Sequence, residues 1–319
     1  MLRRILIFAG FFICLFSFSV VFAQQNAPVI VVIKSSDIEP YKIALNSFKD
    51  ALAKQAIKAK FLEYDLEGNG SGVKKDQIVR EINTNYFDIV LTVGSGATSF
   101  AKENFKDKAI VFCMVLNPAA SGFINNFQGN SGLSITGAAM DIPIAKQFET
   151  IRSTIRGLKR IVAFYNPQET EEVIRRAQKA ADSLGISFKA IPISGEKDII
   201  ASLSNLNRED ALWALADSKV YTPQNTQFII LETLRNGIPF IGLSPSFVKA
   251  GALLSFSSNY EENGEQAADL VIKILKGEKP ADLPVSTPRR IDLSINANTA
   301  EHIKVEVPRE ILRQAVNIF

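Results

Sequence analysis

Histidine and cysteine are nearly missing from this chain of 319 residues, and their scarcity closes most familiar catalytic plans. The single histidine, His302, sits near the C-terminus in Thr299-Ala300-Glu301-His302-Ile303. A multi-histidine metal site is thereby excluded, and a His-based triad has no suitable base. Of the two cysteines, Cys14 falls in an apolar leader, which leaves Cys113 with no partner for an internal disulfide. Cys113 ends an apolar run and reads as core rather than nucleophile. No nucleophile is paired with a base, so no catalytic residue, metal or cofactor is expected. An excess of either charge is lacking too: without Arg3 and Arg4, 34 basic residues face 33 acidic ones. That balance excludes the basic surface a nucleic-acid partner demands.

What remains is ordinary globular material, 47% hydrophobic and 22% charged, long enough for two domains. The first 23 residues stand apart. Met1-Leu2-Arg3-Arg4 is basic, Ile5 to Phe22 is almost wholly apolar, and Val21-Phe22-Ala23 offers a small residue before Gln24. This is the layout of a secretory signal peptide cleaved after Ala23, which places the protein in the periplasm or outside the cell. The apolar run approaches the length of a membrane span, so retention as a tether is the alternative. Phe12-Ile13 before Cys14 lacks the small residue of a lipoprotein signal.

The stretch Phe87 to Phe100 carries the strongest local signal. An apolar run, Ile89-Val90-Leu91-Thr92-Val93, ends in Gly94-Ser95-Gly96-Ala97-Thr98-Ser99 and a helix-compatible segment. A buried parallel strand hands over to a helix in this way. Gly94 and Gly96 allow a tight turn, and the N–H groups of the new helix terminus favour a carboxylate. The dinucleotide fingerprint is not met. Ser99 stands where a third glycine or alanine belongs, and the strand from Ala109 to Cys113 ends without an acid.

Around this turn, strands and helices alternate. Strands are expected at 28–33, 60–66 and 109–115, with helices near 41–52 and 73–85. A Gly/Asn-rich break at 125–132 and an extended piece at 134–141 precede a helix near 144–155. The alternation then restarts, with strands at 160–165, 187–193, 211–216, 239–243 and 252–257 and helices at 169–184, 198–206 and 224–235. Ser258 and Glu261 fit a capping box opening the next helix. Arg290 to Asn296 alternates like a strand, and Pro308 to Val316 looks helical. Repeats of about 25–30 residues imply right-handed crossovers and parallel sheets, with all strand-end loops on one edge. Ligands bind there in open α/β sheets.

This order of parts resembles the substrate-binding proteins of ABC importers with the type I periplasmic fold. The resemblance is nearest the branch with tryptophan- and other aromatic amino-acid-binding members. It rests on Asp88 to Thr98, Val111 to Gly122, Ile161 to Gly185, Ile238 to Gly251 and, most specifically, Gly264 to Val285. It implies an α/β architecture of two Rossmann-like lobes with parallel sheets, closing like a Venus flytrap. Lobe 1 is then expected at 25–138 plus 259–283, and lobe 2 at 139–258 plus 284–319. The chain departs from the family at Ser35 to Pro40 and at Asp217-Ser218-Lys219, so the ligand does not transfer with the resemblance.

On this footing a small solute, an amino acid or related carboxylate, is held between the lobes and delivered to an ABC permease in the membrane by a monomer. The alternative is a binding protein that presents its closed form to a receptor or sensor kinase. The turn at Gly94, Ser95, Gly96, Ala97 and Thr98 would take the carboxylate, and Asp217 the ammonium. Tyr41, Tyr165, Phe256 or Tyr260 would supply an apolar wall. The strand-end positions Ser36, Asp37, Asn117, Asp141, Asn166, Ser244 and Ser246 complete the expected ligand contacts.

Overall fold

The computed structural model describes residues 27–67, 75–125, 127 and 133–319. The expected leader, the loop at 68–72 and most of the Gly/Asn-rich break lie outside the described residues.

The chain opens with β1 (Val29–Lys34), α1 (Glu39–Lys54), β2 (Lys60–Asp65), α2 (Lys75–Asn83) and β3 (Ile89–Val93). Next come α3 (Ser95–Asn104), β4 (Ala109–Val115) and β5 (Ile135–Ala139). These strands form one parallel sheet in the order β2-β1-β3-β4-β5. Every residue of β3 is buried, as expected of a strand covered on both faces. The helices of this lobe enclose two apolar layers, one on each side of the sheet.

After α4 (Ile144–Thr154) the pattern begins again with β6 (Arg160–Tyr165), α5 (Glu171–Leu184), β7 (Phe188–Pro192) and α6 (Glu196–Leu203). It continues through β8 (Asp210–Trp213), α7 (Pro223–Asn236), β9 (Phe240–Gly242), α8 (Pro245–Ala250) and β10 (Leu254–Ser258). Then α9 (Tyr260–Leu275) returns to the first lobe. The last segment supplies β11 (Ile291–Ile295), α10 (Ala297–His302), α11 (Arg309–Gln314) and β12 (Ala315–Ile318). The second sheet runs β12-β11-β10-β9-β8-β6-β7, with a hydrophobic core of its own.

Three expectations need correction. The second sheet is not wholly parallel, because β11 pairs antiparallel with β10. Residues 315 and 316, expected to end a helix, begin β12 instead. Ser258 is not a helix cap. It ends β10 and donates its hydroxyl to the Met140 carbonyl at 2.6 Å, while Asn259 caps α9 by accepting from the Glu262 N–H.

The chain crosses between lobes three times: from β5 to α4, from β10 to α9, and from Leu283 to β11. Buried Asn263 straps this region. Its amide donates to the carbonyls of Ala138 and Ala139 and accepts from the N–H of Met114, whose φ is +57°. Helix α9 lies so close on α1 that a Cβ at Gly264 would sit 2.0 Å from the Ala44 carbonyl oxygen. Backbone cannot yield as a side-chain tip does. Gly264→Ala is therefore expected to pry the helices apart and cost about 3 kcal/mol, read as a lower urea midpoint at unchanged m.

Candidate functional site

In each sheet the first strand has its successors on opposite sides, so a crevice opens at the carboxyl ends of β1 and β3, and of β6 and β8. The two crevices are built alike. In the first lobe, Ser35 follows β1 and its Oγ accepts from the Ala97 N–H of α3 at 2.8 Å. In the second, Asp217 follows β8 and its Oδ2 accepts from the Asn166 N–H, after β6, at 2.6 Å. Each bond ties together the two loops that flank the switch in strand order.

Gly94 shapes the first crevice. At φ +91° and ψ 161° it occupies a region essentially reserved for glycine, and its N–H donates to the Cys113 carbonyl at 2.9 Å. A Cβ there would meet the Tyr41 hydroxyl at 2.4 Å and Ser35 Oγ at 2.7 Å. Tyr41 and Ser35 thus close over the bend. With the Ala97 N–H engaged by Ser35, the first-turn N–H groups left for a ligand are those of Ser95 and Gly96, both exposed. Ala97 and Thr98 turn inward. The Thr98 hydroxyl donates to the Gly94 carbonyl and lies 2.9 Å from that of Thr92, all buried. These two residues shape the turn and present no side chain to solute.

Asp37 is exposed and clamped by Lys34 at 2.7 Å and Lys42 at 3.0 Å, whose hydrogen bonds hold its carboxyl below the usual range. Ser36 beside it is half-buried at the same edge. Asn117, with φ +50°, is exposed after β4, and its N–H donates to Asp141 at the first crossing at 2.9 Å. Burial pushes the Asp141 carboxyl upward, a shift the Asn117 N–H opposes.

In the second lobe Asp217 is only 2% exposed and saturated from within. Its Oδ2 also accepts from the Thr170 hydroxyl at 2.7 Å, and its Oδ1 from the N–H groups of Lys219 and Val220 at 3.1 and 3.0 Å. The carboxylate offers nothing to an ammonium; it braces the loops. Tyr165 and Asn166 stay half-buried at the edge, Ser244 and Ser246 flank the start of α8, and Tyr260 opens α9. Phe256 is a core side chain at 7% exposure. Trp213 packs edge-on against Phe148 and donates to Gln147. Cys113 is fully buried, its thiol pushed up to about 12, which removes it as a nucleophile.

A cavity of about 310 Å³ lies between the lobes. Ile43 of α1 lines it from the first lobe and Pro245 of α8 from the second, together with Ser257, Ser258, Asn259, Tyr260, Glu261 and Asp292. Of these, only Tyr260 was expected from sequence. The Ser-Ser-Asn run at the end of a strand was the available signal, whereas Asp292 enters through the antiparallel register that sets it opposite Ser257. A second groove, about 350 Å³, lies between α7 and α8. It draws on one lobe alone, and a solute there would be gripped by no lobe movement. Among the described residues no group of His, Cys, Asp and Glu side chains could hold a metal, and no helix is long and apolar enough to cross a membrane.

Comparison with known proteins fits this geometry. A family model described as "ABC transporter substrate binding protein" matches residues 29–319. A tyrosine-binding protein of Clostridioides difficile is 22% identical over 222 residues, 69% of this chain. The chain spans 64% of the length of that relative. A ligand-free, open structure of a Clostridium difficile substrate-binding protein with adhesive properties aligns at TM-score 0.73 and 19% identity, covering 92% of this chain and 99% of that one. An ABC domain from Streptococcus pneumonia in complex with L-Trp aligns at TM-score 0.60 and 18% identity, covering 92% and 100%. Both structures share the two-lobed fold.

Proposed function

Because the chain belongs to the ABC transporter substrate-binding protein family, we propose that it captures an amino acid or related carboxylate outside the cytoplasm and passes it to a membrane permease. The observation that carries this is the cavity walled by Ile43 of one lobe and Pro245 of the other, at the carboxyl edge of both sheets. A solute there touches both halves, so binding favours their approach and shifts an open–closed equilibrium. Residues 25–138 plus 259–283 move as one lobe, and 139–258 plus 284–319 as the other.

The Ser95 and Gly96 N–H groups receive the solute's carboxylate at the positive end of α3. Tyr260 lines the cavity, Tyr41 and Tyr165 are half-buried near the strand ends of the two lobes, and together they suit an aromatic side chain. The two relatives named for tyrosine and L-Trp support that class. The protein works as a monomer, without cofactor or chemistry, in the periplasm or outside the cell once residues 1–23 are removed.

Isothermal titration of residues 24–319 with L-tyrosine, L-tryptophan, ribose and small organic acids tests this reading. Micromolar binding of an aromatic amino acid, unchanged in mass on recovery, is expected. Binding of ribose alone, or turnover of the bound solute, would overturn it.

A further inference from the structure

The interlobe cavity has an acidic floor that the carboxylate-binding turn does not explain. Asp292, 19% exposed in its side chain, spends Oδ2 on the Asn259 amide at 2.9 Å. Among the described residues its Oδ1 has only the Arg290 Nε, at 3.8 Å. Glu261, the second residue of α9, lines the same cavity. No basic residue lines it.

Behind this floor lies a second, independent feature. Side chains at i and i+2 share a strand face, and directly opposed residues share it across the ladder. Ser255 and Ser257 of β10 oppose Ser294 and Asp292 of β11, so four polar side chains make one strip. Ser255 is wholly buried and, among the described residues, its Oγ has no partner, which is costly. The strip runs from that orphaned hydroxyl to the cavity-lining Ser257. A polar strip with spare acceptors and two carboxylates is complementary to a cation with several donors, as a primary ammonium is.

We infer that Asp292 and Glu261, with Ser257, hold the ammonium group of the solute, and that Asp217 takes no part in contacting it. This rests on the amino-acid reading above and extends it to a zwitterion, its carboxylate at the α3 turn and its ammonium at the β10–β11 floor.

The test compares two matched sets by titration calorimetry: L-tyrosine with 3-(4-hydroxyphenyl)propionate and L-tryptophan with indole-3-propionate, in each of which the second ligand lacks only the amine. Wild type is expected to favour the amino acid at least tenfold. Asp292→Asn and Glu261→Gln should each shrink that preference about tenfold by weakening the amino acid alone. Asp269→Asn, which breaks a surface pair with Arg289, should leave it unchanged. Because Asp292 also holds Asn259, circular dichroism and melting of each variant accompany the titrations, and Glu261→Gln stands as the variant with no packing role. An amine preference that survives both substitutions overturns the inference and leaves the proposed function standing. Equal binding of both members of a set overturns the inference and leaves the carboxylate turn standing. Binding of neither set overturns both.

Discussion

Asp217→Ala is expected to lower the thermal midpoint by about 10 °C, the largest effect of any single substitution outside the apolar cores. The carboxylate accepts from three backbone N–H groups and one hydroxyl, all beside a side chain 2% exposed. Alanine leaves those donors facing a void. Unsatisfied buried polar groups cost 1–3 kcal/mol each, and partial relaxation brings the loss to about 4 kcal/mol. Asp217→Asn should fall between, since an amide can accept on one side only. Differential scanning calorimetry reads both. Titration at 15 °C then separates brace from contact: the aspartate of a ligand pair would lose affinity a hundredfold in the still-folded variant, and a brace only a few-fold. A midpoint within 2 °C of wild type would show that the loops hold without it.

Gly94→Ala should weaken amino-acid binding by about 10- to 100-fold while leaving both sheets folded. Alanine at φ +91° and ψ 161° carries 1–3 kcal/mol of strain, and its methyl would overlap the Tyr41 hydroxyl and Ser35 Oγ. Neither neighbour is free to leave, because Ser35 holds the Ala97 N–H and Tyr41 packs into the core on α1. The bend must therefore rotate, carrying the Ser95 and Gly96 N–H groups away from the carboxylate. Titration with L-tyrosine and with 3-(4-hydroxyphenyl)propionate reads this, and both should weaken equally because both carry the carboxylate. Unchanged affinity would place the carboxylate elsewhere.

The strands were legible where burial on both faces demands an unbroken apolar run, as in Val29–Lys34, Ile89–Val93 and Ala109–Val115. Gly185 likewise announced the end of α5, where it takes φ +62°. Misses came where a neighbour decides. Ala315, Val316 and Ile318 are apolar side chains compatible with helix or strand, and the open edge of β11 selects the strand. Ser258 and Asn259 are both capping residues, and the Met140 carbonyl across the crossing claims the serine. At the site, a carboxylate at the end of β8 was visible as Asp217. Its donors at Asn166 and Thr170 lie 51 and 47 residues away, so its internal role was not. The Ser257–Asp292 pairing depends on antiparallel register and was likewise invisible.

The return of α9 to pack on α1 has a consequence for biogenesis. A chain emerging from its N-terminus has all five strands of the first sheet after residue 139, yet the side of α1 that packs on α9 stays uncovered until the chain has passed Tyr260. The second sheet in turn waits for β11 and β12 at the far end of the chain. The first half does not close its core until α9 has been made, nor the second until β12 has, which delays folding and exposes the polypeptide to aggregation for the same interval.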